Sequence, residues 1–241
     1  ANGELQPSPK LFPSGMKALS DYVHANGMYL GLYTCVGTQT CKKGRPGSYG
    51  SYDVDANTMA SWEVDMVKAD YCHKPSDTNA TGQELYTEFS QALNATGRPM
   101  MFATCQWGED DIVEWGGDIA QMYRIQRDHI PFWSYPDPLP QAAGVGYGQG
   151  TKEIIEFMAD LNPAKWNKPH GWMDPDFLET MFEPFGKEYP PMNFTNSRTE
   201  MTFWSLWSSP LLMATDPDNL TEEKIAIIMN EEVIAINQDT L

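Results

Sequence analysis

Four short stretches of this 241-residue chain combine residue types that could do proton-transfer or nucleophilic chemistry. The first is Val64-Asp-Met-Val-Lys-Ala-Asp70, an apolar run closed by a carboxylate. If it is a strand, alternation puts Lys68 and Asp70 on one face and Val67 and Ala69 on the other. An ammonium beside a carboxylate favours the ionised form that a nucleophile needs; the plainer reading is an Asp capping a turn beside a surface Lys. The second stretch pairs Arg124 with Asp128, four residues on, and has Trp133 beyond. Asp128 could donate a proton to a sugar oxygen while Arg124 orients hydroxyls, or the two could form an ordinary ion pair beside a core tryptophan. In Trp172-Met-Asp174-Pro-Asp176, two carboxylates stand two residues apart, suited to hydroxyl recognition or to an Asp-Pro turn. Cys105-Gln106-Trp107-Gly108 brings an amide and an indole together, both usual sugar contacts, with a core tryptophan as the alternative.

The rest of the composition removes competing chemistries. The balance of 16 Lys+Arg against 33 Asp+Glu gives a net charge of −17, which argues against binding a phosphate backbone. Cys35, Cys41, Cys72 and Cys105 contain no Cys-x-x-Cys, and His24, His73, His129 and His170 show no i, i+4 pair, so a metal site is not expected. No Gly-x-Gly-x-x-Gly cradle and no Gly-x-Ser-x-Gly elbow is present, and no cofactor is expected. No apolar run approaches the ~18 residues that would span a bilayer. Carboxylates and aromatics alone are what glycoside hydrolysis requires. Four Asn-x-Ser/Thr sequons, at Asn79, Asn94, Asn193 and Asn219, lean toward the secretory pathway, where disulfides form. The chain starts without Met in what reads as mid-domain, as a fragment or processed form would.

Elements that could position these groups alternate along the chain. Met16, Leu19, Tyr22 and Val23 predict a helix over 14–26 that Gly27 closes. Residues 28–33 predict a strand, 37–51 a loop, 53–62 a helix and 64–70 a strand. Thr81 and Glu84 form a capping-box signature opening a helix with Leu85, Phe89, Ala92 and Leu93 on one face, stopped by Gly97. Further strands are expected at 100–105, 123–126, 171–173 and 210–213, and helices at 152–161 and 222–229. The stretch 144–150 is Gly-rich but follows a proline-broken segment, 136–140, and reads as a loop. Repeated strand-then-helix units imply a parallel sheet, and a (β/α)8 barrel suits the length better than a dinucleotide fold. Only six strand-like runs are found where a barrel has eight: either two are missed or the chain begins after the first two, and the opening residues, which read as a connection, favour the second.

The stretches "LFPSGMKALSDYVHANGMYLGLYTCVGTQTC", "PGSYGSYDVDANTMASWEVDMVKADYC", "CQWGEDD", "MDPDFLE", "WSLWSSPLLMATDPDNL" and "VIAINQD" occur in an order that resembles the α-galactosidase (melibiase) and α-N-acetylgalactosaminidase family. The resemblance covers nearly the whole chain and implies strands three to eight of a catalytic (β/α)8 barrel. The N-terminal strands, with their Asp-Asp pair, and the C-terminal β-sandwich would lie outside residues 1–241. It implies that Asp70 is the nucleophile and Asp128 the general acid/base of a retaining mechanism, the carboxyls about 5–5.5 Å apart. It places Tyr33, Lys68, Arg124 and Asp176 at sugar-contacting positions, and pairs Cys41 with Cys72. Three positions depart from the family: Cys35 stands where Asp is frequent, Gln106 where Glu reads the 2-hydroxyl, and Met173 where Asn is found.

The expected activity is release of terminal α-D-galactose from oligosaccharides, glycolipids or glycoproteins. The alternatives are an α-N-acetylgalactosaminidase, a β-L-arabinopyranosidase, or a non-catalytic glycan-binding relative. The expected partner is an α-galactoside carbohydrate, with no nucleic acid, no membrane span and a homodimer as the candidate assembly. The expected location is secreted or lysosomal. A barrel short of two strands would lack part of its sugar pocket, so residues 1–241 alone are expected to be poorly active.

Overall fold

The computed structural model describes residues 3–134, 148–179 and 192–239. Its five strands form one parallel sheet in the order β1-β2-β3-β4-β5, so each strand neighbours the next in sequence. The chain divides into two compact units, one up to Tyr123 and one from Arg124.

In the first unit, α1 (Gly15–Ala25) precedes β1 (Gly31–Cys35), α2 (Tyr52–Ser61) precedes β2 (Met66–Asp70), and α3 (Gly82–Ala95) precedes β3 (Met101–Cys105). Helix α4 (Ile112–Ile119) then leads into β4 (Met122–Arg124). The register sets Tyr33 beside Lys68 and Cys35 beside Asp70, and it carries Asp70 on to Cys105. Alternation along β2 works as expected. Val67 and Ala69 are fully buried, under a packed aromatic layer in which Tyr52 stacks on Phe89 at 5.0 Å and Phe89 meets Phe102 edge-on at 5.5 Å. Each large apolar side chain buried there contributes about 1.5–3 kcal/mol, which is enough to fix which face of β2 turns away from that layer. Lys68 and Asp70 are on that other face.

Local signals hold the ends of these elements. Thr81 caps α3 through a complete capping box with Glu84, and Gly97 takes the left-handed φ of 73° just past the helix. Before β2, Asp65 accepts from the Leu30 N–H at 2.8 Å and pairs with Arg98 at 2.8 Å and His24 at 2.7 Å. Those bonds tie α1, β1 and the segment before β3 together at the end of the sheet away from Asp70. At the other end, a Cβ on Gly37 would stand 2.1 Å from the Cys72 carbonyl oxygen, so the loop after β1 can lie against the loop after β2 only because residue 37 has no side chain.

The second unit holds α5 (Thr151–Leu161), α6 (Pro163–Trp166), β5 (Trp172–Asp174), α7 (Phe194–Leu206), α8 (Glu222–Ile228) and α9 (Glu231–Asn237). The Ile125 N–H donates to the Asp174 carbonyl, joining the chain after β4 to β5. Trp204 of α7 is fully buried, and Asn237 of α9 donates from Nδ2 to the Ser209 carbonyl at 2.9 Å.

Two sequence expectations change here. Residues 210–213 form no strand; among the described residues their sheet-like pairing is confined to one bridge, Leu178 with Met213, and Met213 is exposed. Helices α4, α6, α7 and α9 are additions to the elements expected: α4 contains Gly116 and Gly117, and α7 places a polar run, 195–200, before most of its apolar residues and has no single apolar stripe. The segment 136–140 and residues 144–147 of the Gly-rich stretch lie outside the described residues.

Candidate active site

Asp70 ends β2, at the C-terminal edge of a parallel strand where enzymes of this architecture place reactive groups. The residue is 9% exposed, and its side chain is held at both oxygens. The Tyr33 hydroxyl donates to Oδ2 at 2.8 Å, and the Tyr71 backbone N–H donates to Oδ1 at 2.9 Å. Donors on both oxygens favour a charged carboxylate. Burial, and then the charge of Asp70, push the Tyr33 phenol far above its ordinary range, so Tyr33 keeps its proton and stays a donor. Lys68 sits two residues earlier on the same face, in register with Tyr33.

The Cys35 flank of Asp70 is neutral. Burial, and to a lesser degree the Asp70 charge, push the Cys35 thiol up to about 11, and its Sγ–H faces the carbonyls of Asp70 and Cys72 at 3.0 Å each. Cys35 and Cys105 are buried thiols, whereas Cys41 and Cys72 are joined in a disulfide. The Cys41, Cys72 and Asp70 ligand atoms lie within 4.8 Å of one another. Both sulfurs belong to that disulfide, so neither can bind a metal as thiolate.

After β3, Gln106 is fully buried and its amide donates to Asp110 Oδ2 at 3.0 Å. Trp107 follows with a left-handed φ of 59°, partly exposed, its ring 6.2 Å from that of Tyr71.

In the second unit, the Arg124 side chain is only 2% exposed and bridges two carboxylates from one nitrogen. Its Nη2 lies 3.0 Å from Asp128 Oδ1 and 2.9 Å from Asp176 Oδ2. Asp128 is 68% exposed at its side chain and Asp176 only 5%, so the guanidinium links a closed interior to an open carboxylate. Asp176 takes a left-handed φ of 84°. Its N–H donates to Asp174 Oδ1, its Oδ2 accepts from the His129 N–H, and its carbonyl accepts from Trp204 Nε1. The His129 ring is stacked on Trp204 at 5.4 Å, and burial lowers its pKa to about 4, so it is neutral at physiological pH. Glu179 is pushed up to about 9, first by burial and then by Asp176 and Glu200. Trp133 is half-buried, and its carbonyl accepts from the Lys152 N–H, beside the start of α5. Met173 is fully buried in β5.

Every candidate named from the sequence is thus located within one unit or the other. Tyr33, Lys68, Asp70, Gln106 and Trp107 belong to the first, and Arg124, Asp128 and Asp176 to the second. Sequence reasoning does not single out Tyr71, Asp110, His129, Glu179 or Glu200. Asp110 alone has a readable signal, standing four residues after Gln106 in "CQWGEDD".

The fold is a parallel α/β sheet in which β2 and β5 end in the carboxylates Asp70 and Asp174, with Tyr33 and Lys68 beside the first. Residues 1–239 match the model of the family described as alpha galactosidase A. The chain is 38% identical over 240 residues to alpha-galactosidase A of Cellvibrio japonicus and 35% identical over 243 residues to alpha-galactosidase 2 of Arabidopsis thaliana, each match covering the whole chain. It spans about half the length of these curated relatives, 55% and 54%. Among solved structures, it superposes on α-galactosidase from Saccharomyces cerevisiae with a TM-score of 0.87 and 29% identity, covering all of this chain and 53% of that one. Alpha-galactosidase I from Mortierella vinacea matches with a TM-score of 0.85 and 34% identity, over 99% of this chain and 59% of that one. The chain belongs to the alpha galactosidase A family, and its five-stranded parallel α/β sheet fits part of a (β/α)8 barrel, the fold class expected from the sequence.

Proposed function

We propose that the protein carrying this sequence is a retaining exo-glycosidase that releases terminal α-D-galactosyl residues, with residues 1–241 forming part of its catalytic barrel. The observation that carries the reading is the two-sided clasp on Asp70, from the Tyr33 hydroxyl and the Tyr71 N–H, in a chain of this family. Asp70 attacks the anomeric carbon as an ionised carboxylate, while Asp128 gives its proton to the departing oxygen. The covalent glycosyl-enzyme is then opened by water, whose proton Asp128 takes. Tyr33, Lys68, Trp107, Arg124 and Asp176 line or orient the sugar subsite, and Gln106 acts beside Trp107.

The test is direct. Asp70→Asn should lower turnover of an aryl α-galactoside by roughly 10⁴-fold, and a mechanism-based fluorinated galactoside should label the wild-type protein at Asp70. Turnover at the wild-type rate in the variant would refute the assignment. Rates on aryl α-galactoside, α-N-acetylgalactosaminide and β-L-arabinopyranoside should rank in that order.

No helix among the described residues is long and apolar enough to cross a membrane. We further propose passage through the secretory pathway. The asparagines of all four sequons are exposed, and the Cys41–Cys72 disulfide is of the kind that oxidising compartments retain. Mass loss on treatment with an N-glycan-removing amidase checks this.

A further inference from the structure

A single carboxylate oxygen collects the segments around Asp70, and the proposed mechanism does not use it. Asp110 Oδ2 accepts from the Gln106 amide at 3.0 Å, from the Gly82 N–H at 3.1 Å and from the Tyr71 hydroxyl at 3.3 Å. The Asp110 carbonyl accepts from Trp115 Nε1 at 2.7 Å. Those four donors come from the end of β3, the first turn of α3, the residue after β2 and the first turn of α4. Asp110 is itself an exposed residue, where a carboxylate would ordinarily be left to water. Here one of its oxygens is committed three times over.

The geometry around it is strained and therefore specific. Trp107 has a left-handed φ of 59°, which costs such a residue about 1–2 kcal/mol, and Asp110 and Asp111 share the conformation at 52° and 53°, which aspartate adopts more readily. A strained turn of this kind persists only when its surroundings over-determine it. Gly82 covers the cluster so closely that a Cβ there would stand 2.5 Å from Gln106 Nε2 and 2.8 Å from both Asp110 Oδ2 and the Tyr71 hydroxyl. Two arms leave the hub. One runs through Tyr71, whose hydroxyl is on Asp110 and whose N–H is on Asp70 Oδ1. The other runs through Gln106 to Trp107, the next residue and the one with the strained backbone.

We propose that Asp110 is a positioning residue for the reaction, fixing both the Tyr71 peptide that holds Asp70 and the turn that presents Trp107 to the sugar. It rests on the reading of Asp70 as nucleophile and deepens it. Gln106, buried with its amide on Asp110, acts through this hub rather than on the sugar. The residue type at 106 then follows from its partner: a donor is needed against the Asp110 carboxylate, and a second carboxylate at 106 would be repelled by the first.

The experiment uses the protein that carries this sequence in four forms, namely Asp110→Ala, Asp110→Asn, Gln106→Glu and wild type. kcat and KM on an aryl α-galactoside are read together with the rate at which a fluorinated galactoside labels Asp70. Asp110→Ala and Gln106→Glu should each lower kcat and the labelling rate about 10- to 100-fold, with KM changing less. Asp110→Asn can turn its amide oxygen to the same three donors and should keep most of the activity that Asp110→Ala loses. Should Asp110→Ala fail to fold, Gln106→Glu decides the matter: a loss in kcat and labelling with KM little changed supports the hub, and unchanged kcat and labelling overturns it. Unchanged kcat and labelling in Asp110→Ala and Gln106→Glu, or a loss in Asp110→Asn as large as that in Asp110→Ala, would overturn the hub while leaving the nucleophile standing. Label on a residue other than Asp70 in wild type would overturn both.

Discussion

Replacing Arg124 by Met tests how much of the second unit depends on one guanidinium. The side chain is 2% exposed and bonds Asp128 and Asp176 from the same nitrogen, but the two ends are not equivalent. Asp128 is 68% exposed, so water solvates it when the guanidinium leaves, and that end adds little to stability. Asp176 is 5% exposed and also anchors the His129 N–H, so its carboxylate stays buried when the guanidinium is removed. Breaking a buried pair from one side costs about 3–5 kcal/mol. At about 2–4 °C per kcal/mol for a chain of this size, the melting temperature should fall by roughly 6–20 °C. Adding Asp176→Asn, which removes the stranded charge but keeps an acceptor for His129, should recover more than half of that fall. Thermal unfolding without substrate, followed by tryptophan fluorescence because Trp204 donates to the Asp176 carbonyl, reads the effect where it arises. An Arg124→Met variant within about 1 kcal/mol of wild type would refute the reasoning, because the buried end would then not need its cation. So would a double variant no more stable than the single one.

Three further outcomes are expected. Stability should depend on pH through two buried groups of opposite sign. His129 has its pKa lowered from 6.5 to about 4, so its contribution is complete above pH 6.5 and fades as pH falls toward 4. Glu179 is raised from 4.5 to about 9, so its contribution is complete below pH 4.5 and fades as pH rises toward 9. The two oppose each other between 4.5 and 6.5, and above 6.5 Glu179 alone acts; melting temperature should therefore decline from pH 6.5 to 9, and Glu179→Gln should flatten that decline. Thr81→Ala should cost about 1 kcal/mol by removing the α3 cap and should also abolish the sequon at Asn79, whereas Thr81→Ser keeps both; unfolding and intact mass read the two effects separately. Gly37→Ala should force the loop after β1 off the Cys72 carbonyl, and slower formation of the Cys41–Cys72 bond on oxidative refolding would register it.

What the sequence makes legible is short-range. The Thr81/Glu84 spacing names its own helix start, and alternation along 64–70 already separates Lys68 and Asp70 from Val67 and Ala69, because both signals depend only on neighbours in the chain. The Arg124–Asp128 pair is legible for the same reason. Its buried partner is not, since Asp176 lies 52 positions from Arg124 and nothing in its Asp-Pro setting announces an interior cation. Helix α7 escapes notice because Trp204 and Glu200 are both buried in it, so its buried face is not an apolar stripe. The run 210–213 misleads in the opposite direction: it has the composition of a strand but Met213 is exposed, and composition does not supply a pairing partner.

The same division explains why the supporting groups, rather than the reactive ones, are hidden. A nucleophile at a strand end must follow an apolar run, and that requirement leaves a trace in consecutive residues. A group that positions it is free to come from any element whose backbone passes nearby. Asp110 gathers donors 4, 28 and 39 residues away, and its own backbone strain is invisible until φ is known. Its side chain is a surface carboxylate by composition and a structural acceptor by placement. Cys35 shows the complementary case. Its register beside Asp70 puts a neutral thiol where a second carboxylate would raise the cost of charging the first. Cys35→Asp should therefore raise the pH at which the acidic limb of kcat/KM falls. An unmoved limb in a folded variant would mean that the charge at position 35 does not reach Asp70.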